Sequence, residues 1–244
     1  MEEGAFIRGP ADEKEICLVF TGHEFAEGGE FIRRTLRRHR IPASFFFTGD
    51  FYRNRKFHSL IRGLVADGHY LGPHSDRHLL YNDWSDRQKV LVDRETFQKD
   101  LWANYREMEP FGIRPARGRI FMPPFEWYNR TIVQWAEELG VRVINYTPGT
   151  ISHTDYKSPA DRGRYYSSAE IYAQILDYER KSPQGLRGFL LLTHIGAGPG
   201  RPDKFHLYLD RLVVELAARG YRFLSVDCWF GPGAAAAAAR PASP

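Results

Sequence analysis

Two histidines, His74 and His78, stand four residues apart in the segment HSDRH. Neutral imidazole is the commonest nitrogen ligand for zinc and related cations. Ser75 could cap a short helix that would turn both rings to one face. The chain holds nine histidines, so this spacing arises easily by chance, and the plain alternative is a buried, hydrogen-bonded His74 with a surface His78. His194 is a further candidate because it ends the most apolar stretch of the chain, where a polar side chain costs free energy unless it is hydrogen-bonded or used. A nucleophilic hydrolase is disfavoured: there is no GxSxG turn for a serine, and Cys17 and Cys228 read as small core residues with no evident base.

These residues need elements to position them, and the hydrophobic pattern supplies a regular series. Apolar runs at Ile16 to Phe20, Ala43 to Thr48, His69 to Gly72, Arg119 to Met122, Val141 to Tyr146, Phe189 to Leu192 and Arg222 to Val226 read as strands. Helical spacing falls between them: Phe31, Ile32, Thr35 and Leu36; Ser59 to Ala66; Phe97, Leu101, Tyr105 and Met108; Ile132, Trp135, Ala136 and Leu139; and Phe205, Leu209, Leu212, Val213 and Leu216. Ser167 with Glu170 predicts a capping box at the start of another helix, and Gly220 a helix end. Seven strands alternating with helices imply an α/β fold, a closed or nearly closed parallel barrel. In such barrels the chemistry gathers at the C-terminal ends of the strands. The polar segments Thr21-Gly22-His23-Glu24, His74 to His78, Pro123 to Trp127, Thr147 to Asp155 and Thr193-His194 all fall there.

The bulk composition sets the limits. The 244 residues are 43% hydrophobic and 14% aromatic, ample for a sizeable core, so disorder is excluded for most of the chain. The net charge of +4 raises a polyanionic partner, yet the one basic cluster, Arg33, Arg34, Arg37, Arg38 and Arg40, reads as the solvated face of a helix, not as a nucleic-acid site. Two cysteines fix neither a disulfide framework nor a redox compartment. No apolar run is long enough to span a membrane, and MEEGAFIRGP does not resemble a secretory leader. The chain as written therefore points to the cytoplasm, unless it is a processed or excised domain of an envelope or secreted protein. Residues 1–12 are expected to form a loose arm, residues 13–230 the barrel, and residues 231–244, rich in alanine, a low-complexity tail.

From Ile16 to Asp227 the chain resembles the polysaccharide deacetylase family, the NodB-homology group of carbohydrate esterases. HSDRH matches its H-[ST]-x-x-H metal motif, ASFFFTGDF its second strand, FMPPFEW resembles its RPPY motif, and LLLTHIG its late leucine–histidine motif. The resemblance implies a distorted (β/α) barrel of about seven parallel strands. It also implies a hydrolase of N- or O-acetyl groups on a carbohydrate or polysaccharide, acting with a divalent cation such as zinc. By that resemblance His74 and His78 are metal ligands, His194 is the general acid, the backbone N–H of Phe125 is an oxyanion donor, and Glu126 and Trp127 lie at the substrate.

The first motif departs from the family. Two adjacent aspartates, base and then ligand, are expected where this chain has FTGHEF. Read without a gap, Thr21 and Gly22 take their places and neither role is filled. Shifted by one residue, His23 replaces the metal aspartate and completes a His23, His74 and His78 set. The base then falls to Glu24, with Glu126 and Asp76 as alternatives. Met122 replaces an arginine that pairs with the missing base, a coherent loss because an unpaired buried arginine is expensive. The competing expectation is an inactive barrel that binds glycans through Trp127, Tyr128 and Tyr146, for which core packing is the plain alternative.

Overall fold

A computed structural model of the chain describes residues 1–114, 119–161 and 163–232. All but the first two residues of the low-complexity tail therefore lie outside the described residues. The strands are β1 (Glu15–Gly22), β2 (Ser44–Phe47), β3 (Tyr70–Pro73), β4 (Ile120–Phe121), β5 (Arg142–Val143), β6 (Phe189–His194) and β7 (Arg222–Leu224). The helices are α1 (Gly29–His39), α2 (Gly49–Arg53), α3 (His58–Ala66), α4 (Arg94–Met108), α5 (Arg130–Glu138), α6 (Ser168–Lys181), α7 (Leu209–Ala218) and α8 (Val226–Phe230). Every strand pair is parallel. The predicted capping box holds α6, with Ser167 and Glu170 each accepting from the other's backbone N–H, and Gly220 follows α7 at φ 85°.

The architecture is a distorted (β/α) barrel. One sheet runs β3-β2-β1-β6, β7 pairs with the N-terminal half of β1, and β4-β5 form a separate pair. Two-residue spacing sorts the strands into two packed layers. Cys17 and Val19, Phe46, and Leu190 and Leu192 face the barrel interior with Ile120, Met122 and Ile144. Ile16, Leu18 and Phe20, Phe45 and Phe47, and Phe189 and Leu191 face the helices, packing on Ile32, Leu36, Ile61, Leu101, Ile175 and Leu212. The basic run of α1 lies on the solvent side, as its spacing predicts, with Arg33 bonded to Asp67 at 2.7 Å.

Three expectations need correction. β4, β5 and β7 are shorter than their apolar runs, because the barrel does not close on continuous ladders. Between β3 and β4 the Tyr70 hydroxyl substitutes for ladder partners, accepting from Ile120 N at 3.2 Å and donating to Ile120 O at 3.4 Å. Secondly, the first residues are no loose arm. They fill the gap between β5 and β6: Phe6 N donates to Val143 O, Asn145 N to Phe6 O, and Gly9 N to Gly188 O, while Ala5 is fully buried. Thirdly, Cys17 is buried in the barrel but Cys228 is exposed on α8, which begins where the seventh strand was expected to continue.

Removing residues 1–9 would strip these hydrogen bonds and uncover β5. Stability should fall by about 2–4 kcal/mol in urea unfolding, whereas a loose arm would leave the midpoint unchanged.

Candidate active site

The inward positions that are apolar deep in the barrel turn polar at the strands' C-terminal ends. On β1 the inward series Cys17, Val19 continues to Thr21 and His23; after Phe46 of β2 comes Thr48; after Leu190 and Leu192 of β6 comes His194. The register brings these ends level, with Thr21 opposite His194 and Phe46, and Phe47 opposite Pro73, the residue before His74. Gly22 points the other way. A Cβ there would lie 2.8 Å from Ile195, 2.9 Å from Phe47 and 3.0 Å from Phe51. No carboxylate fits at that position, whereas His23 opens into the barrel mouth.

The HSDRH segment is a fixed loop and not the short helix expected from Ser75. Ser75 (φ 73°) and His78 (φ 55°) both occupy left-handed backbone, a conformation that costs a non-glycine residue free energy and persists where surroundings enforce it. The enforcement is visible. His74 N donates to Asn104 Oδ1 at 2.8 Å, Arg77 N to Asp100 Oδ1 at 3.2 Å, and Arg53 of α2 holds Asp76 at 2.7 Å. Asp76 is thereby tied into an arginine cluster and is not among the residues lining the cleft.

Three imidazoles meet at the floor. The His23 and His78 rings lie 4.7 Å apart and nearly parallel, at 11°, and His74 lies 5.2 Å from His78. His74 Nδ1 bonds the Met122 carbonyl at 2.8 Å. A carbonyl only accepts, so Nδ1 carries the proton and Nε2 presents its lone pair to the cleft. Burial presses His74 down to about 3 and His78 to about 2, each further lowered by its histidine neighbours, so both are neutral at physiological pH. This donor chemistry suits a divalent cation. The orientation as it stands is less complete: a metal lies near the plane of each imidazole that binds it, and the stacked His23 and His78 rings share no such point. Among the described residues no three His, Cys, Asp or Glu side chains are arranged to hold a metal ion. Rotation of the His23 ring, whose Nδ1 lies 3.1 Å from Thr48 Oγ1, is what would bring the set together.

Opposite this floor are two groups with contrasting electrostatics. Glu126 Oε1 lies 3.9 Å from His74 Nε2, and burial raises its carboxyl to about 7. His194 is buried too, which opposes its charge, yet Asp155 bonds its Nδ1 at 2.7 Å and holds its pKa above the ordinary histidine value. The same Asp155 carboxylate accepts from His194 N, fixing ring and backbone together. Nε2 of His194 is left for the cleft.

Most of the residues singled out from the sequence line one cleft of about 1090 Å³: His23, Glu24, His74, His78, Phe125, Glu126, Trp127, Tyr146 and His194. Within it Glu24 is exposed at the rim and Glu126 lies deep. Phe125 (φ 59°) and Glu126 (φ 55°) both take left-handed backbone, the second strained pair at this mouth. Tyr128 does not contribute; it is fully buried core. Met122 is also buried, packed among the barrel's apolar interior, where its carbonyl serves His74. Sequence reasoning missed Asp155, whose role depends on a loop returning to β6, and Trp84, which is 59% exposed and stacks on Trp127 at 5.7 Å. Trp127 has Arg87 over its ring at 4.7 Å and donates to Asp83 O, so Trp84 offers the open aromatic face. His153, Tyr156 and Lys157 were missed as well; only their neighbourhood, a long polar loop after a strand, marked them.

The polysaccharide deacetylase family model matches residues 8–144, more than half of the chain. The chain belongs to this family. Among its relatives is the peptidoglycan-N-acetylmuramic acid deacetylase PdaA of Bacillus subtilis, 23% identical over 225 residues that cover 91% of this chain and 74% of that protein. A peptidoglycan N-acetylglucosamine deacetylase, solved with a hydroxamate ligand, superposes with a TM-score of 0.73 at 19% identity, covering 93% of this chain and 92% of the other. A family 4 acetyl xylan esterase from Clostridium thermocellum, solved with a cobalt ion, gives 0.68 at 18% identity over 89% and 90%. Likenesses this distant establish the shared barrel.

The His194–Asp155 bond makes a measurable prediction. Asp155→Asn should lower the His194 pKa, read from its ring proton in an NMR titration. Because the folded pKa is the raised one, the bond's contribution to stability is complete below about pH 6.5 and is lost as pH rises through the folded value. An unchanged titration would remove Asp155 from this role.

Proposed function

We propose that the cleft removes acetyl groups, N- or O-linked, from a carbohydrate, with a divalent cation, zinc or a close relative, held by His23, His74 and His78. Membership of the deacetylase family supports the reaction class. The observation that carries the site is His74: a buried, neutral imidazole whose hydrogen bond to Met122 turns its free nitrogen toward two further imidazoles and a carboxyl. Gly22 supports the shifted reading of the first motif, since its packing leaves His23 as the inward residue. When bound, the cation would polarise the acetyl carbonyl and make a coordinated water more acidic.

The chain's own groups supply the proton traffic. Glu126, poised near neutrality, takes a proton from water as the oxygen attacks the acetyl carbon. Burial and position favour it over Glu24 at the rim. In this reading the backbone N–H of Phe125 donates to the developing oxyanion. Protonated His194, steadied by Asp155, gives its proton to the amine or alkoxide as the C–N or C–O bond breaks. The products are acetate and a free amino or hydroxyl group. Phe125, Trp127 and the exposed face of Trp84 form a wall on which a sugar ring can stack.

Acetate release from acetylated chito- and xylo-oligosaccharides, with zinc supplied, tests the proposal. Glu126→Gln should cost on the order of 10²-fold or more in kcat and abolish the rise of rate through about pH 7, while Glu24→Gln costs far less. Full activity in Glu126→Gln would overturn the assignment of the base. The absence of acetate from every acetylated glycan would return the chain to the inactive, glycan-binding reading.

A further inference from the structure

One wall of the cleft is built from the loop between β5 and α6, which places Tyr156, Lys157, Arg164 and Tyr166 on the cavity. This wall is fastened from behind by Arg201, a fully buried arginine. Its Nε donates to Asp203 O at 2.6 Å, Nη1 to Lys157 O at 2.6 Å, and Nη2 to Tyr166 O at 2.9 Å and Ser168 Oγ at 3.3 Å. Burying a guanidinium is costly unless its donors are satisfied, and here two of the satisfying carbonyls belong to the residues that bracket the cationic stretch of the wall. Lys157 is therefore presented on an anchored backbone, and Tyr166, two residues after Arg164, is anchored by the same guanidinium.

Neither cation is spent on a carboxylate at close range. Among the described residues no ion pair engages Lys157 or Arg164; the Lys157 ammonium lies over the Tyr156 ring, 4.6 Å from its centroid. Of the acids in the loop, Asp161 has its carboxylate bonded to Ser158 N at 2.8 Å and Ser158 Oγ at 3.0 Å, and Asp155 is bonded to His194. The other carboxyls on the cleft are Glu24 at the exposed rim and Glu126, which lies beside His74, 3.9 Å from its Nε2. The Tyr156 ring beneath the Lys157 ammonium lies 4.6 Å from the His194 ring, which puts this cation on the His194 side of the cleft.

We infer that the cleft selects an acetylated glycan bearing a carboxylate on the acetylated sugar or on its neighbour, with Lys157 and Arg164 receiving that carboxylate. The inference rests on the glycan reading of the cleft and names the substrate class within it. The charge-bearing sugar lies against Tyr156 and Tyr166, which line the same cleft as Trp84 and Phe125. A uronic acid or a lactyl-substituted amino sugar has the required chemistry; an uncharged chitin or xylan oligomer does not.

Binding to the full chain, measured by calorimetry, separates the two substrate types. The probes are a tetrasaccharide of alternating N-acetylglucosamine and glucuronic acid and the neutral N-acetylglucosamine tetramer. The acidic probe should bind about tenfold more tightly or better at low salt, and this advantage should shrink as ionic strength rises. In Lys157→Met with Arg164→Met the ratio of the two affinities should collapse toward one; each single variant should lose about fivefold. Equal affinities in the natural chain, or a ratio that survives the double substitution, would overturn the inference. Acetate release followed in parallel keeps the two claims apart: a retained affinity ratio with no acetate from either probe contradicts the hydrolytic reading alone.

Discussion

The chemistry of this cleft depends on dryness at the barrel mouth. His74 and His78, packed with the His23 ring above the apolar barrel interior, are poorly placed to hold positive charge; desolvation and the neighbouring histidines both act against it. His74 and His78 are driven to about 3 and 2 and keep their lone pairs. The same desolvation lifts Glu126 to about 7. His194 escapes because Asp155 supplies a buried counter-charge and a hydrogen bond. One environment thus pushes its titratable groups in opposite directions, the division on which the proposed hydrolysis at neutral pH would draw.

That environment follows from strand alternation. β1 is paired on both sides, with β6 along one edge and β7 and then β2 along the other, so its inward and outward residues are strictly assigned. The assignment sends Gly22 into the packing of Ile195, Phe47 and Phe51 and leaves His23 at the mouth. The departure of this chain from its family's acidic pair is therefore a packing fact as well as a chemical one: at position 22 there is room for hydrogen only.

Much of this was legible in the sequence. Short continuous apolar runs such as ICLVF and SFFF, separated by helical spacing, announced the parallel barrel, and the capping box at Ser167 and the end of α7 at Gly220 were local signals that tertiary structure left alone. Placing polar groups after strands located the cleft and its histidines. The misses were non-local. Docking of residues 1–9 between β5 and β6 depends on an opening in the barrel that no local pattern reveals. The Ser75 helix failed because Asn104, Asp100 and Arg53, distant in sequence, hold the loop in left-handed backbone. Glu24 and Glu126 looked alike as letters, and only burial separates them. Tyr128 stood open between a sugar platform and core packing, and its burial makes it core.

The proposed metal centre is His23, His74 and His78, brought together once the His23 ring turns out of its stack. Titration of the purified chain with cobalt(II), followed by visible absorption, tests it without reference to turnover. The account predicts saturation at a single equivalent with the intense bands of a low-coordinate, nitrogen-rich site, lost in His78→Ala and weakened in His23→Ala. Absence of saturable absorption, or a spectrum unaltered by both substitutions, would contradict it.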